Sequence, residues 1–462
     1  MPHSLKVYIE TYGCQMNEYD SELVASLLEQ DSHRLVPTLD DADVVLVNTC
    51  AVRENAEQRV FAQLARYKKA KEARSGDMTI GILGCMSQHL KESITAAHPY
   101  VDLVCGPDQY RQLPAVIRDL TVSREQQYIL INKDRTENYD QIYPARKTGV
   151  NAWVTVMRGC DNMCSFCIVP FTRGRERSRS IASVVEECVK LAGEGFREVT
   201  LLGQNVNSYK DGDQHFADLL QAVSHVDGID RIRFTSPHPK DFSDAMMDQM
   251  AHNPKVCKHM HLPMQAGNDR VLDVMRRHYT HEEFAQLVQR ARERVPGIGF
   301  STDIIVGFPT ETAEEFEDTL RLVEKVRFES AFTFEYSPRE GAPSARWEDD
   351  VTPVEKNRRL RELVALQQSI TMEKAAECVG RSFEVLLEGP SRKQDSELVG
   401  RSSCNRVVVV PEDPRWTEGT LVTVAVDRAV NFTLKGCVTA VEGIPLERLP
   451  ADWKPRPRRA RA

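Results

Sequence analysis

The sequence contains no apolar run approaching the roughly 20 residues needed to cross a bilayer, which excludes a helical membrane anchor. It also lacks any excess of positive charge: 60 lysines and arginines stand against 68 aspartates and glutamates, for a formal net charge of −8. There is therefore no global attraction to nucleic acid, and an RNA partner would need local basic patches. Missing too is the short, cysteine-dense pattern of a secreted disulfide scaffold, because 12 cysteines are spread through 462 residues at spacings that suit metals better than bridges. No internal repeat is evident. The start, Met1-Pro2-His3-Ser4-Leu5-Lys6, runs straight into a strand-like alternation, and we read the chain as soluble and cytoplasmic, without a membrane partner.

What is present suits about three domains of roughly 100–200 residues each. Residues 1–122 alternate apolar strand-like runs (6–10, 44–48, 79–83) with helical patterns (18–28, 55–69), the signature of an α/β unit with a parallel sheet. A polar stretch, 123–147, reads as a linker, with one strand-like run at 128–131. From 148 to 377 six strand-like runs (153–157, 198–202, 232–235, 259–262, 300–306, 332–336) alternate with helical patterns and end in a long charged helix, predicting a partial (βα)6 barrel. Residues 378–443 switch to short β segments typical of a small β-barrel, and 444–462 form a Pro- and Arg-rich tail with a disordered composition. The fold class is α/β.

Cys160, Cys164 and Cys167 form a C-x3-C-x2-C run directly after the first barrel strand. Thiolates are soft ligands for iron–sulfur clusters, and three of them leave one iron of a [4Fe–4S] cube open to bind and reduce a substrate. A zinc knuckle is the alternative, although zinc ribbons favour paired C-x2-C ends and a fourth ligand. Cys14, Cys50 and Cys85 are far apart in sequence, yet each follows a predicted strand. The C-terminal ends of parallel strands lie along one edge, so these three can converge as a second open site. The remaining cysteines, Cys105, Cys188, Cys257, Cys378, Cys404 and Cys437, have no ligand spacing and read as packing residues.

The barrel-strand cysteine run resembles the radical S-adenosylmethionine (SAM) superfamily. With TYGCQMNEYDSE (11–22), NTCAVRENAEQR (48–59), RGCDNMCSFCIVPFTRGRERSR (158–179) and LLGQNVNSY (201–209), nearly the whole chain resembles its methylthiotransferase family, which ends in an RNA-binding TRAM domain. The resemblance implies two [4Fe–4S] clusters and two SAM molecules per turnover. The cluster on Cys160, Cys164 and Cys167 would cleave SAM to a 5′-deoxyadenosyl radical, and the cluster on Cys14, Cys50 and Cys85 would supply sulfur. The flanking residues are closest to members that act on N6-isopentenyladenosine beside the tRNA anticodon. Ala266 departs from the serine expected there.

Polar residues at strand ends, Gln204, Asn205, Ser236, Gln265 and Asp303, together with Phe166 inside the cysteine loop, are expected to contact SAM. Arg173, Arg175, Arg177 and Arg179 alternate, so an extended segment would project them together toward a polyanion. Arg392, Lys393, Arg401 and Arg406 in the C-terminal module are further expected RNA contacts. The expected partners are the tRNA anticodon stem-loop, an electron donor such as a flavodoxin or ferredoxin, and a sulfur or cluster donor, with the enzyme a monomer. The same chemistry on a ribosomal-protein side chain or on threonylcarbamoyladenosine, or an RNA-binding iron–sulfur sensor without turnover, are the competing readings.

Overall fold

The computed structural model describes residues 4–51, 54–123, 126–146, 149–392 and 394–455. Its first sheet is built from β1 (Lys6–Tyr12), β2 (Arg34–Leu35), β3 (Val44–Thr49), β4 (Thr79–Gly84), β5 (Leu103–Cys105) and β6 (Tyr128–Leu130). All pairings are parallel, in the order β2-β1-β3-β4-β5-β6. The sequences VVLVNT and TIGILG of β3 and β4 are buried throughout, as expected of parallel strands covered on both faces. Register then decides where the cysteines emerge: Tyr12 pairs with Thr49 and Thr49 with Gly84, so the chain leaves three adjacent strands side by side at Gly13-Cys14, Cys50 and Cys85.

The stretch expected to be a linker contributes β6, which extends this sheet by pairing with β5. It also buries Tyr139, whose hydroxyl donates to Pro107 O at 2.9 Å and accepts from Tyr110 N at 3.0 Å. Its Asp- and Asn-rich turns hid this role, because turn chemistry looks alike in a linker and in a loop that packs.

The central unit holds β7 (Asn151–Thr155), β8 (Glu198–Leu202), β9 (Arg231–Phe234), β10 (His259–His261), β11 (Gly299–Val306) and β12 (Ser330–Glu335). They form two three-stranded parallel sheets, β9-β8-β7 and β10-β11-β12, and the parallel bridge Ile232–Val256 links β9 to the segment that leads into β10. Helices on the outer face bury Val184, Leu219, Met250, Phe284, Phe316 and their neighbours in one continuous core. Two of these helices, His281–Arg294 and Ala313–Val326, open with reciprocal capping boxes, Thr280 with Glu283 and Thr312 with Glu315, which fix where each begins.

Helix Pro353–Ala376 leads into β13 (Ser382–Ser391), β14 (Gln394–Ser402), β15 (Val407–Pro411), β16 (Leu421–Val430) and β17 (Thr433–Val441). Pairing of β15 with β17 closes these five strands into a barrel. Arginines at the starts of barrel strands clamp this module: Arg197 donates to Gly419 O and Glu442 Oε1, both at 2.6 Å, and Arg231 donates to Arg401 O at 2.6 Å. The C-terminal module therefore sits at the end of the barrel opposite the loops that follow its strands. Among the described residues no helix is long and apolar enough to cross a membrane.

Candidate metal centres and barrel rim

At the edge of the first sheet, glycine permits the turn that presents two of the three thiols. Gly13 and Gly84 have φ of +139° and +92°. A Cβ at Gly84 would lie 2.3 Å from Asn48 Oδ1, and one at Gly13 would lie 2.6 Å from Cys50 Cβ, so no larger residue fits either place. Buried Asn17 and Asn48 tie the loops together, through Asn17 Nδ2 to Asn48 Oδ1 at 3.1 Å and Asn48 Nδ2 to Asn17 O at 2.9 Å. Cys14 caps helix Gln15–Gln30, and Cys85 opens helix Cys85–Leu90, positions where the helix dipole favours a thiolate. A hydrogen bond from the Cys50 thiol, aided by the Arg173 charge, brings Cys14 down to about 6. Burial pushes Cys85 the other way, although Arg173 Nε donates to its sulfur at 3.1 Å.

The second triad hangs on a loop pinned at both ends. Residues Met157–Arg158 pair antiparallel with Arg177–Ser178, and Cys160 N donates to Gly174 O at 3.1 Å. Gly159, at φ +81°, passes so near the returning chain that a Cβ would sit 2.0 Å from Arg175 O. Cys167 N donates to Cys164 O at 3.0 Å, and Arg277 Nη1 donates to Cys164 Sγ at 3.2 Å. Burial raises Cys160 to about 11 and Cys167 to about 12, so without metal these are thiols, whereas metal ligation deprotonates such groups outright.

The segments that carry the two triads pack together. Ile168, next to Cys167, packs with Ala51 and Cys85, while Cys14 and Met16 pack against Leu202 and Trp153 of the barrel. Among the described residues no three His, Cys, Asp or Glu groups gather closely enough to hold a single metal ion. A [4Fe–4S] cube takes each thiolate on a different iron.

The rim residues gather above the barrel. Gln204 Oε1 accepts from Gly159 N at 2.5 Å, and Asn205 Nδ2 donates to Asp241 Oδ2 at 2.9 Å. Ser236 and Gln265 hold left-handed backbone, φ 61° and 66°, which is uncommon outside glycine and concentrates at functional sites. Asp303 accepts from His261 Nε2 at 3.1 Å, and Phe166 meets Phe308 edge to face at 6.5 Å. Ala266 is buried with Val271, Leu272 and Phe308, an apolar setting that suits its methyl group. Asn205 Oδ1, Gln265 Oε1 and His238 Nε2 are buried without a hydrogen-bond partner, which fits a rim that receives a polar ligand such as SAM. His238 was not singled out from the sequence, although its Pro-His-Pro setting marked a rigid rim loop; burial and the Arg277 charge push it down to about 2.

Three family models match the chain in order: "Uncharacterized protein family UPF0004" over residues 6–106, "Radical SAM superfamily" over 154–323 and "TRAM domain" over 376–439. The tRNA-2-methylthio-N(6)-dimethylallyladenosine synthase of Prosthecochloris aestuarii is 44% identical over 95% of this chain and 99% of its own length. The chain belongs to this synthase family. The synthase of the same name from Porphyromonas gingivalis strain W83 is 44% identical over 93% of this chain and 94% of its own length. Among solved structures, the radical S-adenosylmethionine methyltransferase TsrM of Kitasatospora setae shares the fold at TM-score 0.55 and 17% identity, covering 74% of this chain and 77% of that one.

Against this family background the arginine row is corrected by its surroundings. Arg173, Arg177 and Arg179 do not project together into solvent; each is folded inward onto carboxylates. Arg173 bonds Asp20 at 2.8 Å, Arg177 bonds Asp108 at 2.8 Å, and Arg179 bonds Asp140 at 3.0 Å and Glu187 at 2.5 Å. Arg175, with its side chain 71% exposed beside Asp161, is the member of the row left facing solvent. In the TRAM module Arg392 is exposed and Arg401 is half-buried beside Glu388, while Arg406 lies within 3.5 Å of Glu329 at the module's junction with the barrel. Lys393 and the tail from 456 onward lie outside the described residues.

Proposed function

We propose that this protein converts N6-isopentenyladenosine beside the tRNA anticodon into its 2-methylthio derivative, in the cytoplasm, as a monomer. What supports this reading is the packing of Cys14 and Cys85, at the edge of the first sheet, against Leu202, Trp153 and Ile168 of the barrel unit, together with the rim atoms Asn205 Oδ1, Gln265 Oε1 and His238 Nε2 that are buried without a hydrogen-bond partner. Cys160, Cys164 and Cys167 would hold one [4Fe–4S] cluster and Cys14, Cys50 and Cys85 the other; the rim residues Asn205, Ser236, Gln265 and Asp303, with Phe166 and Gln204, would hold SAM. When bound, these groups supply reductive SAM cleavage, hydrogen abstraction at adenine carbon 2, and the sulfur and methyl of the product, using two SAM per turnover. The protein's own part is geometric. The Gly13 and Gly84 turns aim the thiols, Arg277 and Arg173 donate to cysteine sulfur, and the Asp20 ion pairs keep the two sites in register.

The TRAM module and the exposed Arg175 and Arg392 are proposed to meet the anticodon stem-loop, whose unstacked bases can be splayed into a pocket. An external electron donor of the flavodoxin or ferredoxin type and a sulfur or cluster donor complete the cycle. Competition of prenylated, unmodified and threonylcarbamoylated tRNA in the anaerobic reaction, read by nucleoside mass spectrometry, tests the substrate. Product on the prenylated adenosine is expected, and preference for either other tRNA would overturn the assignment.

A further inference from the structure

Around Asp20, where the N-terminal domain meets the barrel, buried guanidinium groups outnumber the carboxylates they bond among the described residues. Arg158, Arg173 and Arg177 share two carboxylates, Asp20 and Asp108. Buried charge is tolerated when it is paired, and here one guanidinium is in excess. Arg173 is the one aimed at the thiols. Its Nη2 donates to Asp20 at 2.8 Å and its Nε to Cys85 Sγ at 3.1 Å, while its Nη1 is buried with no partner. A doubly positive iron–sulfur cube carried by three thiolates is a monoanion, so a cluster on Cys14, Cys50 and Cys85 would balance the excess.

We propose that Arg173 is a positioning residue for the N-terminal cluster, supplying its buried countercharge and a hydrogen bond to its sulfur from the barrel side of the interface. This rests on the two-cluster reading given above. The loop that carries Cys160, Cys164 and Cys167 continues directly to Arg173, so one segment would hold the ligands of one cluster and set the surroundings of the other. A cation beside a cluster favours its more reduced, more negative state, and hydrogen bonds to cluster sulfur act in the same direction. Lysine is a poor substitute, because its compact ammonium lacks the planar fork through which Nε and Nη2 of Arg173 reach a sulfur and a carboxylate in fixed directions.

The test is an EPR-monitored redox titration of the anaerobic holoenzyme as wild type, Arg173→Gln and Arg173→Lys, with SAM added to mark the barrel cluster's signal. In Arg173→Gln the other cluster's potential should move to more negative values and methylthio product should fall about 10–100-fold, the range for partners that orient metal ligands. Arg173→Lys should shift in the same direction by less, and it decides the matter should the glutamine variant not fold. A potential and a product yield equal to wild type in either folded variant would overturn the inference alone. Wild-type enzyme that forms no methylthio product would instead overturn the functional reading beneath it.

Discussion

Asp20 carries the contact between the first two domains. Its fully buried carboxylate accepts from Arg158 Nη2 at 2.9 Å on one oxygen and from Arg173 Nη2 at 2.8 Å on the other. Asp20→Ala would leave both guanidinium groups with only Asp108, already paired with Arg177 at 2.8 Å. Removing one partner of a buried ion pair costs about 3–5 kcal/mol, because the remaining charge stays desolvated. Both arginines belong to the barrel and Asp20 to helix Gln15–Gln30, so the loss falls on docking of the domains more than on either core. By contrast Arg175→Ala removes a pair whose guanidinium is 71% exposed, and should change stability by about 0–1 kcal/mol. A chain of several domains need not unfold in one step, so amide exchange in helix Gln15–Gln30 is the suitable readout. Asp20→Ala should accelerate it by about two to nearly four orders of magnitude, the factor that 3–5 kcal/mol represents. The double variant Asp20→Ala/Arg158→Met should regain part of the loss. Exchange in Asp20→Ala within about tenfold of wild type would refute the account of this interface.

Other outcomes follow from the same geometry. Cys50→Ala should lower iron and sulfide from about eight toward about four per chain and abolish methylthio product while 5′-deoxyadenosine formation persists, whereas Cys164→Ala should abolish both; the assays are metal analysis and product chromatography. His238 is held neutral down to about 2 in the folded state but protonates near 6.5 when unfolded, so the unfolded state gains the proton first as pH falls. Denaturant titrations from pH 7 to pH 5 should lose about 2 kcal/mol from this residue, and His238→Asn should flatten that slope. Arg392→Gln with Arg428→Gln, two exposed positions of the C-terminal module, should weaken tRNA binding and reduce its salt slope by about 1–2 units in filter-binding assays, with the barrel cluster's iron retained.

The strand-end positions of Cys14, Cys50, Cys85 and Cys160 were legible in the sequence because each follows an apolar run of β character, whereas the positive φ of Gly13 and Gly84 that turns the chain there is seen only in the structure. The six barrel strands and the closed C-terminal module were legible for the same reason: period and turn residues are local signals. The inward role of Arg173, Arg177 and Arg179 was not, since their partners Asp20, Asp108, Asp140 and Glu187 lie on other segments. An alternating arginine row looks the same whether it faces phosphate or buried carboxylate. Two-residue β2 and three-residue β5 fell below any periodicity, and only pairing with a neighbouring strand defines them. The rim acceptors were legible as a group by position at strand ends, whereas the left-handed backbone of Ser236 and Gln265 is a tertiary property.

The central claim is that sulfur leaves the site of Cys14, Cys50 and Cys85 and reaches a base activated from the site of Cys160, Cys164 and Cys167 across the interface. Enzyme reconstituted with heavy-isotope sulfide, freed of excess sulfide and given prenylated tRNA, SAM and reductant for a single turnover, tests it most directly by nucleoside mass spectrometry. Heavy sulfur in the 2-methylthio group, lost in Cys50→Ala, is the predicted result. Product whose sulfur is unlabelled, or labelled product from the Cys50→Ala enzyme, would contradict it.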